Sequence, residues 1–218
     1  MTVNVFPAFA VPMAETHHPE PAALNAALMQ LILMLEAQGA GYRNPDPVVH
    51  QPDGLFESEF DFFSREEPCV QALRGWVWGA LGEFLRSINP DLAEGIRGLR
   101  IASQTWFHVT REGGYFGYHN HPMASWSGVY CVSDGEPTPG YSNNGCLVFP
   151  HPQMAASTFL DPSNGRLNWP FTHGNFVLTL KPGQLVLFPS WLGHYVTPFR
   201  GAAQRTTVAF NAWFSRMD

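Results

Sequence analysis

The sequence has few cysteines, few charged residues and no long hydrophobic run, and each scarcity excludes a class of protein. The three cysteines are odd in number and widely spaced, so they form neither a disulfide framework nor a Cys-x-x-Cys metal pair. Charged residues make up 14% of the 218 residues, with a formal net charge of −6 and no basic stripe. We therefore expect reduced thiols, a cytoplasmic location and no nucleic-acid partner.

The hydrophobic segments do not indicate a membrane protein. The longest aliphatic run, residues 31–35, is far shorter than a bilayer span. The apolar stretch of residues 3–14 lacks a basic leader and contains Pro7 and Pro12, which argues against a signal peptide. We expect no membrane partner, and a homodimer is compatible with the sequence.

The first 100 residues are predicted to be mostly helical. Leucines at helical spacing predict a helix over residues 21–38, with Gly39 as its stop. A capping box over residues 64–67 predicts a second helix that runs to Leu85, with Pro68 in its first turn. Between the helices, residues 43–60 are predicted to form a long ordered loop.

After residue 100 the sequence is typical of β-structure, with short β-branched and aromatic runs between Gly, Pro, Asn and Asp. Eight short strands predict a two-sheet jelly roll or a small barrel, so the fold class is mainly β with helices. We expect one domain over residues 1–218, with 1–100 as helical support and 101–218 as the core. The strands are predicted at residues 101–110, 115–121, 126–133, 145–149, 175–180, 184–188, 194–198 and 205–214.

Two histidines one residue apart, His119 and His121, are the most informative feature of the chain. Residues i and i+2 of a strand point to the same face, so an extended segment projects both imidazoles into one space. Pro122 ends that strand at once, which indicates a sheet rim. With His194, which follows another strand-like run, the pair predicts a three-nitrogen metal site with an open coordination face.

Arg205 adds a cation to this set. It opens the last predicted strand, whose alternation places Arg205, Thr207 and Asn211 on one face. A planar guanidinium can hold a carboxylate with two parallel hydrogen bonds. Arg205 is therefore a candidate anchor for an acid group.

Several motifs follow one another in the second half of the chain: His119-Asn120-His121-Pro122, Ser127-Gly128-Val129-Tyr130, the run Leu185-Val186-Leu187-Phe188-Pro189-Ser190-Trp191-Leu192-Gly193-His194, Arg205 and Phe210-Asn211. Taken in order, these motifs resemble the 2-oxoglutarate/Fe(II)-dependent oxygenases, over about residues 106–214. The resemblance implies a double-stranded β-helix, a jelly-roll or cupin-like barrel with N-terminal helices packed on one sheet. It also implies Fe(II) as the metal and 2-oxoglutarate as a small-molecule co-substrate.

The resemblance assigns roles by position in the motifs. His119 matches the first metal ligand, His194 the distal ligand, and Arg205 the residue that binds the far carboxylate of 2-oxoglutarate. His121 stands where the superfamily usually has Asp or Glu, and a neutral imidazole leaves the metal more positive. We interpret His121 as a third ligand; alternatively, water or chloride takes that position while His121 turns away.

Strand alternation and the resemblance together suggest further co-substrate contacts. Ser127 and Cys131 share the inward face of their strand, and Asn211 shares the face of Arg205. Relatives often have tyrosine at the Cys131 position, a contact that a thiol makes less well. His50, His108, His151 and His173 are interpreted as structural.

The leading hypothesis is an Fe(II)- and 2-oxoglutarate-dependent dioxygenase that hydroxylates an unknown substrate. A second hypothesis is a cupin-like three-histidine metal dioxygenase or hydrolase that does not use 2-oxoglutarate. A third is a non-catalytic jelly-roll binding module whose histidines pack or hold a structural metal. A fourth protein ligand would favour the third, because structural zinc sites are closed and four-coordinate.

Overall fold

The computed structural model describes residues 1–92 and 98–216. It contains two helices, α1 (Pro21–Glu36) and α2 (Pro68–Ile88), and two antiparallel sheets. The larger sheet pairs its strands in the order β1 (Ala14–His17), β8 (Gln184–Pro189), β5 (Trp126–Asp134), β10 (Arg205–Arg216), β3 (Leu99–Thr110) and β2 (Leu55–Glu57). The smaller sheet has the order β4 (Phe116–His119), β9 (His194–Val196), β6 (Leu147–Phe149) and β7 (Phe176–Leu178).

Both predicted helices are present, but the capping box is wrong. The α2 helix begins at Pro68, and Glu67 precedes it without a side-chain cap. The hydroxyl of Ser64 instead donates to the carbonyl of Asp61 in a preceding turn of 3₁₀ helix. Proline at the first helical position has a suitable φ and gives up an N–H that would have no helical partner.

The eight predicted strands are confirmed with shifted ends, and two strands were not predicted. These are β1 and β2, which lie at the two edges of the larger sheet. The strand β2 falls inside the segment expected to be a loop, and β1 precedes the first helix. The expected helical half also includes residues 93–97, which lie outside the described residues.

The larger sheet separates two clusters of buried apolar side chains. Its outer face, with Phe107, Tyr130 and Phe210, packs against the buried stripes of α1 and α2. A second cluster lies between the sheets, where Val186 and Phe188 of β8 contact Leu147 and Phe149 of β6. Full burial of one such side chain contributes about 1.5–3 kcal/mol.

Two facing antiparallel sheets with helices on the outer face of the larger one confirm the predicted jelly-roll architecture. The single-domain organisation stays a prediction. Neither described helix combines the length and the apolarity needed to cross a bilayer.

Candidate metal centre

Three imidazoles meet where the smaller sheet faces the larger one. His119 is the last residue of β4 and His194 is the first residue of β9, and the two are paired across these antiparallel strands. His121 lies two residues after the end of β4. Ligand atoms of the three histidines all lie within 4.8 Å of one another. Their ring centroids are 4.3 Å apart for His119 and His194, and 4.8 and 5.1 Å from His121 to the other two. The predicted three-histidine group is therefore assembled in the structure.

Backbone carbonyls orient two of the rings. Nδ1 of His119 lies 2.8 Å from the carbonyl oxygen of Gly117, and Nδ1 of His194 lies 2.9 Å from that of Leu192. A carbonyl only accepts, so each Nδ1 is the protonated nitrogen and each Nε2 keeps its lone pair. His121 is held differently, because its backbone N–H donates to the carbonyl of Ser190 at 2.9 Å. Its ring makes no hydrogen bond within the described residues.

Burial keeps these imidazoles neutral. Desolvation is the main cause that lowers the pKa of His119, and that of His194 falls well below its usual value. The pKa of His121 is lowered to about 3 by burial, with smaller contributions from His119 and His108. Neutral imidazole is the form that binds a cation, and divalent iron accepts nitrogen ligands of this kind. The donor set therefore fits the metal that the resemblance implies.

Among the described residues, the candidate metal-binding group consists of these three histidines and contains no fourth Cys, Asp or Glu. Structural zinc sites usually close with a fourth protein ligand. The arrangement instead leaves coordination positions open for small molecules, which favours catalysis over a purely structural metal.

Arg205 lines the same pocket as the three histidines. It is 5% exposed, and within the described residues its guanidinium forms no ion pair and no hydrogen bond. Burial lowers its pKa, against smaller opposing contributions from Cys131, Cys146 and Asp134. A buried cation without an anionic partner is costly. This side chain is therefore a ready site for an acid group.

A glycine lies against the side chains of Phe199 and Arg205. Gly145 has φ +61°, and a Cβ at that position would lie 2.8 Å from Cδ2 of Phe199 and 3.2 Å from Cδ of Arg205. The left-handed conformation and the close approach both favour glycine. The sequence showed this glycine only as a strand boundary.

Ser127 and Asn211 lie on the inner face and are hydrogen-bonded to each other. The Ser127 hydroxyl donates to Oδ1 of Asn211 at 2.7 Å and lies 2.8 Å from the hydroxyl of Ser190. Ser127 also lines the pocket. Their contact with the co-substrate stays a prediction.

Cys131 lies in the apolar cluster between the sheets and is not among the residues that line the pocket. Burial raises the pKa of its thiol to about 12, so the side chain is uncharged. The geometry thus places it as a buried apolar residue, and its contact with the co-substrate stays a prediction.

Among the pocket residues that were not predicted are Trp106 and His108, the second of which was interpreted from the sequence as structural. They lie two residues apart on β3 and line the pocket with the three histidines and Arg205. Burial is the main cause that lowers the pKa of His108 to about 3, with lesser contributions from Arg205 and His119. The pairing of β3 with β10 puts Trp106 and His108 on the same face of the sheet as Arg205. This pairing cannot be derived from the sequence of β3 alone.

The sequence matches the family model described as "Putative 2OG-Fe(II) oxygenase" over residues 104–211, about half of the chain. This segment contains the three histidines and Arg205. A search of the curated proteins finds no sequence match.

Solved structures of such enzymes share the fold. A Pseudomonas putida prolyl-4-hydroxylase is 20% identical over 95% of this chain and 94% of its own, with a TM-score of 0.54. A Trichoplax adhaerens prolyl hydroxylase, solved with a hypoxia inducible factor peptide, is 13% identical over 93% and 83%, with a TM-score of 0.55. Streptomyces hygroscopicus HygX, solved with nickel, 2-oxoglutarate and hygromycin B, is 10% identical over 93% and 82%, with a TM-score of 0.53.

At these identities the structural likeness shows the jelly-roll fold alone, and the family match adds the chemistry. Both agree with a group of three histidines that shares a pocket with a buried arginine, which has no ion-pair partner among the described residues. The chain belongs to the 2OG-Fe(II) oxygenases, enzymes that use Fe(II) and 2-oxoglutarate.

Proposed function

We propose that this oxygenase hydroxylates a C–H bond of an organic substrate, with His119, His121 and His194 as its metal ligands. Bound Fe(II) supplies the activation of O₂ that couples decarboxylation of 2-oxoglutarate to oxidation of the substrate. Two of the similar solved structures are named prolyl hydroxylases, which supports hydroxylation as the reaction type.

The protein's own residues bind and orient the reactants. Arg205 holds the far carboxylate of 2-oxoglutarate through paired hydrogen bonds, and the co-substrate then extends from the guanidinium towards the histidines. Buried rings such as Phe116 and Phe188 line the pocket and limit the access of water. A dry pocket strengthens the attraction between the guanidinium and the carboxylate.

The observation that carries this proposal is the shared pocket of three neutral imidazoles and one buried guanidinium that has no ion-pair partner in the described part of the chain. The imidazoles provide nitrogen ligands without charge, and the guanidinium needs an anion. A keto diacid satisfies both, because one end chelates a metal and the other carries a carboxylate.

Anaerobic titration tests the proposal. Protein loaded with Fe(II) is mixed with 2-oxoglutarate, and the metal-to-ligand absorption band of the chelated keto acid is recorded. With O₂ and ascorbate, the same protein is expected to release succinate. An absent band, with metal bound, would favour the three-histidine enzyme that does not use 2-oxoglutarate.

The role of His121 has its own test, because no carbonyl orients its ring. We expect His121→Ala to bind Fe(II) more weakly than the parent protein, and His121→Asp to restore binding with the charge that relatives have. Metal content after dialysis against a chelator distinguishes the two ligand sets. Unchanged metal affinity in His121→Ala would favour water or chloride in that position.

The aromatic rings near the pocket suggest an apolar or aromatic surface on the substrate. Phe60 is 39% exposed and packs on Trp106, whose ring centroid is 5.6 Å from that of His121. The cytoplasmic location, the single domain and a homodimer stay predictions from the sequence.

A further inference from the structure

Two buried polar atoms have no hydrogen-bond partner in the described part of the chain: Nε1 of Trp106 and Nε2 of His108. Leaving a buried polar group unpaired is unfavourable, and such groups are rare in folded proteins. Both side chains line the pocket of the metal centre. A bound ligand is therefore the natural partner for at least one of them.

Strand register places His108 next to Arg205. On β3, Thr110 pairs with Arg205 of β10, and His108 pairs with Thr207. His108 is therefore the next residue along β3 that faces the same side of the sheet as the position opposite Arg205. Same-face neighbours along a strand are about 6.6–6.8 Å apart. On its other side, the ring of His108 lies 4.9 Å from that of Phe116, which lies 4.6 Å from that of His119. His108 thus lies between the arginine and the metal centre.

The position of His108 determines which part of the co-substrate it could contact. A 2-oxoglutarate molecule with its far carboxylate on Arg205 and its keto acid at the histidines would pass His108, which brings its keto-acid end within reach of the imidazole. Trp106 lies one same-face position farther from Arg205, beside His121 and the exposed Phe60. Of the two unpaired groups, His108 is the better placed to contact 2-oxoglutarate.

We propose that Nε2 of His108 donates a hydrogen bond to the C1 carboxylate of 2-oxoglutarate and so distinguishes the co-substrate from succinate. The inference rests on the proposed function. During turnover the C1–C2 bond breaks, C1 leaves as CO₂, and C2 becomes a carboxylate of succinate. One atom of O₂ enters that carboxylate and the other enters the hydroxyl group of the product. The electrons come from C1–C2 cleavage and from the substrate C–H bond.

The consequence is a contact that exists with the co-substrate and disappears with the product. Arg205 binds a carboxylate that both molecules have. His108 contacts a group that succinate lacks. It is a positioning and specificity residue, and its substitution should separate the affinities of the two diacids.

Binding of 2-oxoglutarate and of succinate to the Mn(II)-loaded protein, measured by calorimetry without O₂, tests this assignment. We expect His108→Leu to bind 2-oxoglutarate about 10- to 100-fold more weakly, since a hydrogen bond to a charged group contributes about 1.5–3 kcal/mol. Its succinate affinity should stay within about 2-fold of the parent value. Arg205→Ala should weaken both diacids.

Two amide variants add a rescue test. Gln at position 108 places an N–H close to the site of Nε2, whereas Asn places one close to the site of Nδ1. We expect His108→Gln to recover most of the 2-oxoglutarate affinity and His108→Asn to recover little. These variants keep a polar side chain, so they also decide the matter if His108→Leu does not fold.

Four results would overturn the assignment. Equal weakening of both diacids in His108→Leu would mean that the residue only supports the pocket, and unchanged affinities would exclude a contact. Selective loss of 2-oxoglutarate affinity in Trp106→Phe, but not in the His108 variants, would assign the contact to the tryptophan. If the parent protein binds Mn(II) but not 2-oxoglutarate, the proposed function itself fails and the assignment fails with it.

Discussion

The two faces of the larger sheet carry opposite kinds of residue on the same strands. On the outer face, Phe107 and Phe210 are almost fully buried against the helices, within an apolar cluster. On the inner face, Trp106 and His108 have polar atoms without partners among the described residues, and Arg205 has no counterion there. The outer face stabilises the fold, whereas the inner face is completed by its ligands.

This difference implies that substitutions on the two faces affect different quantities. Removing an outer ring costs packing free energy and should leave the ligand affinity of folded protein intact. Removing an inner polar group should cost ligand affinity and little or no stability, because the group lacks its partner until a ligand binds. The following predictions test that separation.

The largest expected effect is the loss of metal in His194→Ala. Loss of a group that merely orients a ligand costs about 10- to 100-fold in metal affinity, so removal of a ligand should cost more. Fe(II) content after dialysis and succinate release are the measurements. His17→Ala, on the exposed side of the edge strand β1, is the matched control. Retention of full metal content in His194→Ala would exclude His194 as a ligand.

The second prediction concerns Arg205→Met. We expect 2-oxoglutarate affinity to fall about 30- to 1000-fold, because the far carboxylate loses a buried charged partner worth about 2–4 kcal/mol. Metal content should not change. The free energy of unfolding without ligands should stay the same or rise, since an unpaired buried cation is removed. A large loss of stability in urea denaturation would contradict the view that this charge lacks a partner in the protein.

The third prediction concerns the outer face. Phe107 is 0% exposed, and we expect Phe107→Ala to lower the free energy of unfolding by about 3–5 kcal/mol through the cavity it leaves. Its affinity for 2-oxoglutarate, measured well below the unfolding midpoint, should match that of the parent. Weaker binding in folded Phe107→Ala would show that the two faces are coupled.

The smallest expected effect is the contribution of Glu57 to the pH dependence of the free energy of unfolding. This carboxyl lies on β2 opposite His108 and accepts hydrogen bonds from Asn44 and Gln51, yet burial raises its pKa from 4.5 to about 7. Between these values the folded protein binds more protons than the unfolded chain, so its stability falls as pH rises. The total change is about 3 kcal/mol.

Glu57→Gln tests this effect by urea denaturation at several pH values from 4.5 to 8. The variant should lack this part of the slope and be more stable than the parent at pH 8. Parallel curves for the two proteins would show that Glu57 titrates at its ordinary pKa in the folded state.

The sequence predicted the elements whose signal is local. Alternation and turn residues located the eight strands, and leucine spacing located α1. The strand β1 contains Glu15 and His17 and lacks an apolar run, so nothing local marks it as a strand. Ser64 matched a capping pattern, but its hydroxyl is used by the turn before the helix.

The metal centre was predictable because its residues are rare and closely spaced, whereas the rest of the pocket depends on pairing. His119 and His121 are neighbours in sequence, and a family pattern linked them to His194 and Arg205. His108 was interpreted as structural, because its role depends on its register with β10. Register comes from long-range contacts, which a single sequence does not display.

The orientation of the His119 and His194 rings has a consequence for how such a site could be transferred to another protein. Each Nδ1 pairs with a carbonyl two residues earlier in the same chain segment, at Gly117 and at Leu192. The orientation of both rings is thus set in part by short stretches of main chain, together with the phenylalanine rings that pack against them. Grafting these two tripeptides onto another pair of adjacent antiparallel strands should therefore transplant the hydrogen bonds that orient the rings, and a graft that also carries the packed phenylalanine rings should transplant the full geometry.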